Sequence, residues 1–316
     1  MNGAGTASGQ VTPQITNALR RIKGKYVVVK LGGEVMLNAE GLDALASDIA
    51  LLSRQGVRMV VVHGGGPQAD RLAQQLGHAV HKVGGRRITD DSALEVAKMV
   101  YAGSINIDLL AALRSHGARG VGISGVDGGL ITATHRPLTY ITNTGTGKDE
   151  WVDFGHVGDI ISADTSLLEL LLRSDYVPVV ASLAGDNDGH IYNVNADTVA
   201  QVIAVALGAE RLVLVTNVLG ILSDPADPTS LLPVCDQIDI AEMVDKGAIS
   251  GGMLPKVHNC LEAISAGVGS VQIIDGTGKH PPLLESLTAG GVGTLITKGR
   301  SETKGGPEVQ NVHNLA

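Results

Sequence analysis

The sequence predicts an α/β protein, a three-layer α/β/α sandwich around a mainly parallel open sheet. Short β-branched apolar runs recur along the 316 residues, and each is followed by a segment of helical periodicity. Near-continuous apolar strands that alternate with helices are typical of a parallel sheet covered on both faces. The 42 glycines follow no fixed period and stand mainly where the apolar runs end, which is where turns and close approaches to a ligand need them.

Six apolar runs are predicted as strands and six periodic segments as helices. The strands are Tyr26–Lys30, Arg58–His63, Gly120–Ser124, Val177–Leu183, Leu212–Thr216 and Val271–Asp275. The helices are Gly41–Arg54, Asp91–Ala102, Ile107–Ser115, Ser166–Arg173, Ala196–Leu207 and Lys256–Ala266. A short amphipathic helix is predicted at 14–23, a β-hairpin flap at 78–89, and short β-prone pieces at 130–162.

Composition and charge exclude several classes of protein. The net charge of −8, without a basic stripe or interleaved aromatic residues, argues against nucleic acid as a partner. The N-terminus has no charged region followed by an apolar stretch, and no run reaches the roughly 18 apolar residues of a membrane span. We therefore predict a soluble, cytoplasmic protein that does not bind a membrane.

One glycine pattern matches a nucleotide-binding motif literally. Gly120-Val-Gly-Ile-Ser-Gly125 has the spacing of the dinucleotide fingerprint, but its apolar residues form the predicted strand itself. Asp127-Gly-Gly129 follows in place of a helix. Because a dinucleotide pyrophosphate needs a helix N-terminus directly after the glycines, we interpret this match as coincidental.

Two neighbouring apolar runs end in consecutive glycines. The first, Val-Val-Val-Lys-Leu-Gly-Gly (27–33), contains Lys30, and the second runs into His-Gly-Gly-Gly-Pro (63–67). Glycines at a strand end present bare backbone N–H groups, and such a concavity binds anions. The carboxyl ends of adjacent parallel strands meet at one edge of the sheet, where open α/β folds bind ligands. Each glycine run taken alone is also compatible with a structural turn.

Two later motifs contain charged residues at the start of predicted helices. Tyr192-Asn-Val-Asn-Ala-Asp197 enters a helix, where Asn195 and Asp197 suit capping and function equally well. Gly251-Gly-Met-Leu-Pro-Lys256 opens the last predicted helix with proline in its first turn, and Lys256 there is either a solvated or a functional lysine. If Lys30 and Lys256 converge, they can neutralise a phosphoryl group during transfer, which indicates a phosphotransferase outside the P-loop design.

Taken in order, the motifs closely resemble those of the acetylglutamate kinases, a branch of the amino-acid kinase family. The resemblance runs from about Ile15 to Thr297 and includes Gly-Gly-Arg-Arg-Ile-Thr-Asp (84–90) and Ile-Ile-Asp-Gly (273–276). It implies the amino-acid kinase fold and ATP-dependent phosphorylation of the side-chain carboxylate of N-acetyl-L-glutamate, the second step of arginine biosynthesis. Mg2+ would accompany ATP and bridge its phosphates with few direct protein ligands, so no metal-binding residue is predicted.

The resemblance also implies roles for particular residues. The catalytic residues would be two lysines on the transferring group and an aspartate that orients both lysines. Backbone N–H groups of glycines would cradle phosphoryl and carboxylate oxygens, and an arginine with an asparagine would hold the α-carboxylate end of the substrate. By role, the residues are Lys30, Lys256 and Asp197 (catalytic); Gly32 and Gly33 (phosphate); Gly65, Gly66, Arg87 and Asn193 (substrate); and Asn217 and Met253 (nucleotide side).

The same resemblance divides the chain into segments. It implies an N-terminal tail and short helix at 1–24, a kinase domain at 25–299, and a polar, disordered tail at 300–316. Within the domain, residues 25–190 would bind acetylglutamate and residues 191–299 would bind ATP. Because the family usually has leucine before the functional arginine of the flap, Arg87 and not Arg86 takes the substrate role.

Several residues depart from the family pattern. Asn217 stands where aspartate is commoner, and Glu34-Val35-Met36 replaces Asn-Ala-Met. Val126 and Gln272 stand where lysine and histidine are frequent. The N-terminal helix, together with Leu284-Glu285 and the segment 291–294, resembles arginine-inhibited members, which assemble as trimers of dimers. We therefore expect a homo-oligomer, a dimer or a hexamer, that arginine inhibits.

Two other functions stay open. One is a kinase for aminoadipate or glutamate attached to a carrier protein, although such an enzyme needs a basic rim that this acidic chain lacks. The other is a non-catalytic amino-acid sensor with the same fold, which would not need Lys30, Asp197 and Lys256 together. Substitution of Lys256 by alanine separates the two classes, because phosphoryl transfer collapses only in an enzyme.

Overall fold

The computed structural model describes residues 12–143, 148–249, 251, 253–278, 281–288 and 291–299. Residues 1–11 of the predicted N-terminal segment 1–24 and the whole predicted tail 300–316 lie outside the described residues, as do residues 144–147 of the β-prone region and Gly252 of the last glycine motif.

An eight-stranded sheet forms the centre of the fold. The strands of the chain are β1 Tyr26–Leu31, β2 Arg58–His63, β3 Lys82–Val83, β4 Arg86–Arg87, β5 Gly120–Ser124, β6 Ile131–His135, β7 Thr139–Asn143, β8 Lys148–Val152, β9 Gly158–Ala163, β10 Val177–Ala181, β11 Leu183–Gly185, β12 Ile191–Asn193, β13 Arg211–Thr216, β14 Val234–Cys235, β15 Ser270–Asp275 and β16 Thr294–Thr297. The central sheet has the order β14-β16-β15-β13-β1-β2-β10-β5. Its neighbours are parallel except for β15 and β16, which confirms the predicted mainly parallel sheet.

Helices cover both faces of this sheet, so the predicted three-layer sandwich is also confirmed. The helices are α1 Pro13–Ile22, α2 Ala39–Arg54, α3 Gly66–Gln75, α4 Asp91–Ala97, α5 Asn106–Ser115, α6 Ser166–Arg173, α7 Ala196–Ala206, α8 Gln237–Asp245, α9 Met253–Ser265 and α10 Leu283–Ser286. Residues of α1, α2, α3, α5 and α10 share one buried core with the sheet. Residues of α6 to α9 share the other.

Strand parity decides which helix layer each side chain meets, because successive side chains of a strand point to opposite faces. Val27 and Val29 of β1 belong to the core beneath α1, α2 and α5, whereas Val28 belongs to the core beneath α7 and α9. Lys30 has the parity of Val28 and therefore faces the α7 and α9 layer. On β2, His63 has the parity of the residues that face α5.

The observed elements differ from the predicted ones in instructive places. The two helices predicted at Asp91–Ala102 and Ile107–Ser115 form one continuous helical stretch, joined by a π-helical segment at Lys98–Ile105. The gap between the two predicted helices contains Gly103, but a glycine inside a helix only weakens it, and packing against the sheet keeps the helix intact. Helix α3 was not predicted, because it begins inside the glycine motif at 63–67 that reads locally as a turn.

Smaller sheets surround the carboxyl edge of the central one. Strands β12, β11, β6 and β9 form a four-stranded sheet, and β7 with β8 forms a separate hairpin. The flap predicted at 78–89 is present, but its strands β3 and β4 have only two residues each. These pieces are too short to be stable alone, so the flap depends on contacts with the rest of the site.

One described helix is long and apolar enough to cross a membrane when judged by length and composition alone. This is the continuous stretch Asp91–Ser115, of which 44% of the most apolar window is buried. Its α5 portion contacts β5 and β10 of the central sheet, which is the position of a core helix.

Candidate active site

Two lysines from different parts of the fold meet on one carboxylate. Lys30 Nζ lies 2.8 Å from Asp197 Oδ1, and Lys256 Nζ donates a hydrogen bond of 3.0 Å to Asp197 Oδ2. The three side chains, named the lysine cluster here, are 12–15% exposed. Strand β1 supplies Lys30, and the first turns of α7 and α9 supply Asp197 and Lys256. The cluster therefore collects one residue from each of three elements at the carboxyl edge of the sheet.

The local sequence left the roles of Asn195 and Asp197 open, and the tertiary structure separates them. Asn195 caps α7, because its side chain accepts a hydrogen bond of 2.8 Å from the backbone N–H of Asp197. The Asp197 carboxylate is thereby left free for the two lysines. The start of α7 therefore supplies both a helix cap, Asn195, and a charged contact, Asp197. Lys30 reaches Asp197 because its side chain points to the face of the sheet that α7 covers.

The lysine cluster holds Asp197 in its ionised form. Burial disfavours the charged carboxylate, but the ammonium groups of Lys30 and Lys256 outweigh burial and lower the pKa of Asp197 from 3.8 to about 2. Two positive groups share one negative group, so the cluster carries one positive charge in excess. Such a site attracts a further anion.

A glycine loop, Gly64–Gly66, connects β2 to α3 beside this cluster. A Cβ on Gly64 would lie 3.4 Å from Cβ of Ala196, the residue before Asp197. After β1, a Cβ on Gly33 would lie 2.7 Å from Cδ of Pro67, so the two glycine-rich strand ends are in close contact. Backbone without side chains at this approach, together with the N-terminus of α3, suits anion binding.

A second charged cluster lies on the other side of the glycine loop. Arg87 Nη2 donates a hydrogen bond of 2.8 Å to the carbonyl oxygen of Gly66 and forms an ion pair with Asp70 of α3. Lys82 Nζ lies 2.8 Å from the other oxygen of Asp70. We name Lys82, Asp70 and Arg87 the flap cluster. The side chain of Arg86, by contrast, is exposed, so the hairpin turns Arg87 inward and Arg86 outward.

Asn193 and Thr89 meet at the far end of the flap. Asn193 Nδ2 donates a hydrogen bond of 3.1 Å to Thr89 Oγ1. Thr89 is fully buried, and its backbone N–H donates to the carbonyl oxygen of Phe154. Because Asn193 ends β12 only four residues before Asp197 in sequence, this contact ties the flap side of the site to the start of α7.

The residues predicted for the nucleotide side lie at the ends of β1 and β13. Asn217 follows β13 and is exposed, and its amide donates to the exposed carboxylate of Glu34. Gly32 donates its N–H to the carbonyl oxygen of Val215 at 2.9 Å, which joins the same two strands. Met253 is the first residue of α9 and is partly buried. Two departures from the family pattern, Glu34 and Asn217, are therefore in contact with each other.

Sequence reasoning missed several residues that the structure brings to this site. Asp70 belongs to the unpredicted helix α3, and Gln68 of the same helix donates a hydrogen bond of 2.8 Å to the carbonyl oxygen of Gly33. Thr89 and Glu34 were visible only as parts of motifs. Asp70 could have been found if α3 had been predicted, because residues four apart on a helix share a face and Asp70 follows Gly66 by four residues.

In one further group of described side chains, the potential ligand atoms lie as close together as those of a metal site. Donor atoms of Asp186, Asp188 and His190, in the turn between β11 and β12, lie within 4.8 Å of one another. The Asp186 carboxylate already accepts hydrogen bonds of 2.8 Å from Tyr192 Oη and from His190 Nδ1. We interpret the group as a turn closed by its own side chains.

A family model for the amino acid kinase family matches residues 25–275 of this chain. The chain belongs to the amino acid kinase family. The match begins at the residue before β1 and ends at the last residue of β15, so it spans every element that contributes to the lysine cluster and the flap cluster.

Curated relatives of this amino acid kinase cover most of its length. The acetylglutamate kinase of Myxococcus xanthus is 44% identical over 288 residues, which is 91% of this chain and 94% of the relative. The acetylglutamate kinase of Methanothermobacter thermautotrophicus is 38% identical over 280 residues, 89% of this chain and 96% of the relative. The resemblance that the motifs indicated is confirmed by these matches.

Among solved structures, the N-acetylglutamate synthase of Neisseria gonorrhoeae is similar to this amino acid kinase. In its complex with coenzyme A and N-acetyl-glutamate the TM-score is 0.75 at 28% identity over 91% of this chain. In its complex with coenzyme A and L-arginine the TM-score is 0.75 at 27% identity over 90% of this chain. This chain spans only 63% and 64% of the length of those synthase chains.

Proposed function

We propose that this chain phosphorylates the side-chain carboxylate of N-acetyl-L-glutamate with ATP and forms N-acetyl-L-glutamyl 5-phosphate, the second step of arginine biosynthesis. The observation that carries the proposal is the lysine cluster, in which one ionised aspartate holds two lysines from separate elements at one point. The names and coverage of the curated relatives support the choice of substrate.

The reaction brings two anions together, so its main requirement is charge neutralisation and alignment. Lys30 binds the transferring phosphoryl group on the acceptor side, and Lys256 binds it on the side of the leaving β-phosphate. Asp197 does not touch the phosphoryl group; it holds both ammonium groups in place. The substrate carboxylate attacks the γ-phosphorus, the bond to the β–γ bridging oxygen breaks, and ADP leaves with that oxygen.

Backbone N–H groups and the flap hold the reacting groups in line. The N–H group of Gly33 binds the phosphoryl oxygens, and those of Gly65 and Gly66 bind the reacting carboxylate. The N–H of Gly32 is bound to the Val215 carbonyl, so Gly32 contributes to the phosphate site only a backbone without a side chain. Arg87 pairs with the α-carboxylate of acetylglutamate through N–H groups other than those that bind Asp70 and the Gly66 carbonyl, since a guanidinium carries five N–H donors.

The strand order separates the two halves to which the two substrates are assigned. Strands β2, β10 and β5 lie on one side of β1, and β13, β15, β16 and β14 lie on the other. We assign acetylglutamate to residues 25–190, with Asn193 at the boundary, and ATP to residues 191–299. Transfer then takes place at the junction of β1 and β13, where Lys30 stands.

Mg2+ fits the nucleotide side by the chemistry of its donors. Glu34 has an exposed carboxylate there, with one oxygen bound by the Asn217 amide nitrogen, and the Asn217 amide oxygen accepts from Thr216 Oγ1 at 3.3 Å. Mg2+ prefers oxygen ligands and keeps several waters. These two residues would hold a hydrated Mg2+ that is bound mainly by ATP. When bound, the ion neutralises charge on the phosphates.

We also propose that the protein is a cytoplasmic homo-oligomer. Strand β5 is an edge of the central sheet, and Ile107 and Met99 on the neighbouring helix are exposed apolar residues. A free strand edge beside exposed apolar side chains is a suitable dimer surface. For a hexamer through α1, the polar face with Arg20 and Arg21 must make the contact, because the apolar face of α1 is buried against its own chain.

Inhibition by arginine has a chemical basis in the α2 and α10 region. Asp48 of α2 is buried near Glu285 of α10, and burial, followed by repulsion from Glu285, raises the pKa of Asp48 from 3.8 to about 7. A guanidinium between two carboxylates relieves this repulsion. The synthase of similar fold is complexed with L-arginine, which supports the proposal.

The function is tested by ADP release with Mg-ATP and by hydroxylamine trapping of the acyl phosphate. N-acetyl-L-glutamate is compared with glutamate, aspartate and aminoadipate, and we expect turnover only with N-acetyl-L-glutamate. No turnover with any of them, despite ATP binding, contradicts the proposal in favour of the carrier-protein kinase or the sensor.

The regulation is tested separately on the active enzyme. We expect added L-arginine to reduce the rate, and Glu285→Gln to weaken that inhibition without changing the rate in its absence. Deletion of residues 1–24 is compared with Arg20→Glu/Arg21→Glu, which leaves the buried face of α1 intact. If the native size by light scattering and the inhibition survive in both variants, the assignment of α1 to the hexamer is wrong.

A further inference from the structure

Two polar side chains are buried directly beneath the glycine loop. His63, the last residue of β2, is fully buried, and Asn106, the first residue of α5, is 2% exposed. They are 43 residues apart in sequence. Burial of a polar side chain is costly unless it is hydrogen-bonded, so the hydrogen-bond partners of His63 and Asn106 determine how both side chains are held.

The hydrogen bonds of His63 select one tautomer. Its Nδ1 lies 2.9 Å from the carbonyl oxygen of Gly64, the first residue of the glycine loop. Its Nε2 faces Asn106 Nδ2 at 3.4 Å. Because an amide nitrogen only donates and a carbonyl only accepts, the neutral ring carries its proton on Nδ1 and accepts at Nε2. Burial lowers the pKa of His63 to about 4, in agreement with a neutral ring.

Backbone contacts fix the orientation of the Asn106 amide. Asn106 Nδ2 also lies 3.1 Å from the carbonyl oxygen of Val179 and 3.3 Å from that of Ile123. In the reverse orientation, the amide oxygen would face both carbonyls and repel them. The amide therefore points its nitrogen toward β10, β5 and His63, and its oxygen toward the backbone of Gly122.

Gly122 makes this arrangement possible. A Cβ at Gly122 would lie 2.0 Å from Asn106 Oδ1, so only glycine fits opposite the asparagine. This glycine is part of the pattern Gly120–Gly125 that matches a dinucleotide motif without its context. Close packing of α5 on β5 therefore explains why glycine occurs in this pattern.

The same helical stretch also supports the next residue of the loop. A Cβ at Gly65 would lie 2.4 Å from Ile105 Cδ1 and 2.8 Å from Tyr101 Cδ1. Both side chains belong to the π-helical segment before α5, and such segments often occur at functional sites. Gly65 is therefore held by packing against Ile105 and Tyr101, and the Gly64 carbonyl is held by its hydrogen bond from His63.

We propose that Asn106 is a positioning residue for the carboxylate subsite, and that it acts through His63. By accepting at Nε2 only, His63 keeps its proton on Nδ1, which binds the Gly64 carbonyl and so orients the N–H of Gly65, in the same planar peptide group, toward the substrate. The inference rests on the proposed function in one respect, since the carboxylate bound there is that of N-acetyl-L-glutamate.

The kinetic test uses Asn106→Leu, His63→Leu and the double variant. A small misplacement of a positioning group costs one to two orders of magnitude, so we expect each single variant to raise KM for N-acetyl-L-glutamate about 10- to 30-fold. The KM for ATP should stay within about threefold. Because Asn106 acts through His63, the double variant should match His63→Leu, whereas independent roles would multiply the effects. Ser115→Ala, at the exposed end of the same helix, is the matched control.

A spectroscopic measurement on the native protein does not depend on activity. With 15N-labelled histidine, the His63 resonances, assigned by their loss in His63→Leu, should show a neutral ring protonated at Nδ1 at pH 7. In Asn106→Leu, the share of the Nε2–H tautomer should rise. A native Nε2–H tautomer, or equal increases in KM for both substrates, would overturn the inference.

The two proposals fail in different ways. If native protein shows no turnover with N-acetyl-L-glutamate, the proposed function is wrong, and the tautomer measurement still decides whether Asn106 controls His63. If turnover is present but a folded Asn106→Leu variant keeps native KM values, the positioning role is wrong and the function stands. Circular dichroism and the melting temperature show whether each variant folds.

Discussion

The lysine cluster and the flap cluster have the same arrangement of charges and different surroundings. Each places one aspartate between two cationic side chains and so carries one positive charge in excess. The lysine cluster is 12–15% exposed throughout, whereas Lys82 in the flap cluster is 48% exposed. Elements of the central core position the first, while a hairpin with two-residue strands supplies Arg87 and Lys82 to the second.

This difference indicates a division of tasks. Charges in a buried cluster interact strongly and stay in place, which suits the transfer of a phosphoryl group. In the flap cluster, Lys82 is 48% exposed and screened by water, while Arg87 is 12% exposed but stands on a two-residue strand that can rearrange when a substrate enters. The glycine loop lies between the two clusters and contacts both sides. We therefore expect substitutions in the lysine cluster to reduce kcat and substitutions in the flap cluster to raise KM.

The largest effect is expected from loss of a lysine in the lysine cluster. Lys30→Ala or Lys256→Ala removes the excess positive charge at the transferring group, and we expect kcat to fall by about 10³-fold or more. KM for N-acetyl-L-glutamate should change little. Steady-state kinetics of both variants measure this, with Lys246→Ala at the exposed residue that follows α8 as the control. A change confined to KM would remove the distinction between the clusters.

Asp197→Asn should have the next largest effect. The amide cannot hold two ammonium groups, so we expect kcat to fall by about 10²-fold. The native carboxylate has a lowered pKa of about 2, so its stabilisation is present above the unfolded value near 3.8 and is lost as the pH falls from there through 2. The destabilisation by Asp197→Asn, measured by urea unfolding, should be equal at pH 6 and 8. A pH-dependent difference in this range would contradict the assigned ionisation.

Arg87→Ala should act mainly on substrate binding. Loss of a bidentate partner for the α-carboxylate should raise KM for N-acetyl-L-glutamate by about 10²-fold, and Arg87→Lys should restore little because an ammonium lacks the planar fork. Arg86→Ala is the neighbouring control, since its side chain is exposed. Comparable effects of the two alanine variants would mean that the flap does not distinguish the arginines.

Asp70→Asn weakens the support of Arg87 without removing the guanidinium. The amide still accepts a hydrogen bond but lacks the charge, so we expect KM for N-acetyl-L-glutamate to rise by about 5- to 10-fold. The measurement is KM in Asp70→Asn, Arg87→Ala and the double variant. Asp70 acts through Arg87 only if the double variant matches Arg87→Ala.

The smallest effect is expected from Lys82→Ala. Exposed ion pairs contribute about 0–1 kcal/mol, so we expect KM to change by less than about threefold and stability by less than about 1 kcal/mol. Increased salt should reduce even this difference. A large effect in Lys82→Ala would show that the flap cluster is as firmly held as the lysine cluster, and the comparison would then fail.

Prediction from sequence succeeded where the signal is local. The parallel sheet and its main helices follow from apolar runs and periodic segments, and the family follows from motifs of consecutive residues. It failed for α3, because a helix that begins at Gly66-Pro67 has the local appearance of a turn. It also separated α4 from α5, because the packing that keeps the π-helical segment in the helix comes from the sheet and the glycine loop.

The sequence by itself determined the fold class, the glycine-rich strand ends and the residue types available for chemistry, since each depends on neighbours along the chain. The tertiary structure decided which distant side chains pair, although the family resemblance already implied the contact of Asp197 with both lysines. Asp197 meets Lys256 across 59 residues, Asn217 meets Glu34 across 183, and Asn106 meets His63 across 43. Strand parity and helix layering set these contacts, and no local pattern encodes which distant side chain will stand on the same face of the sheet.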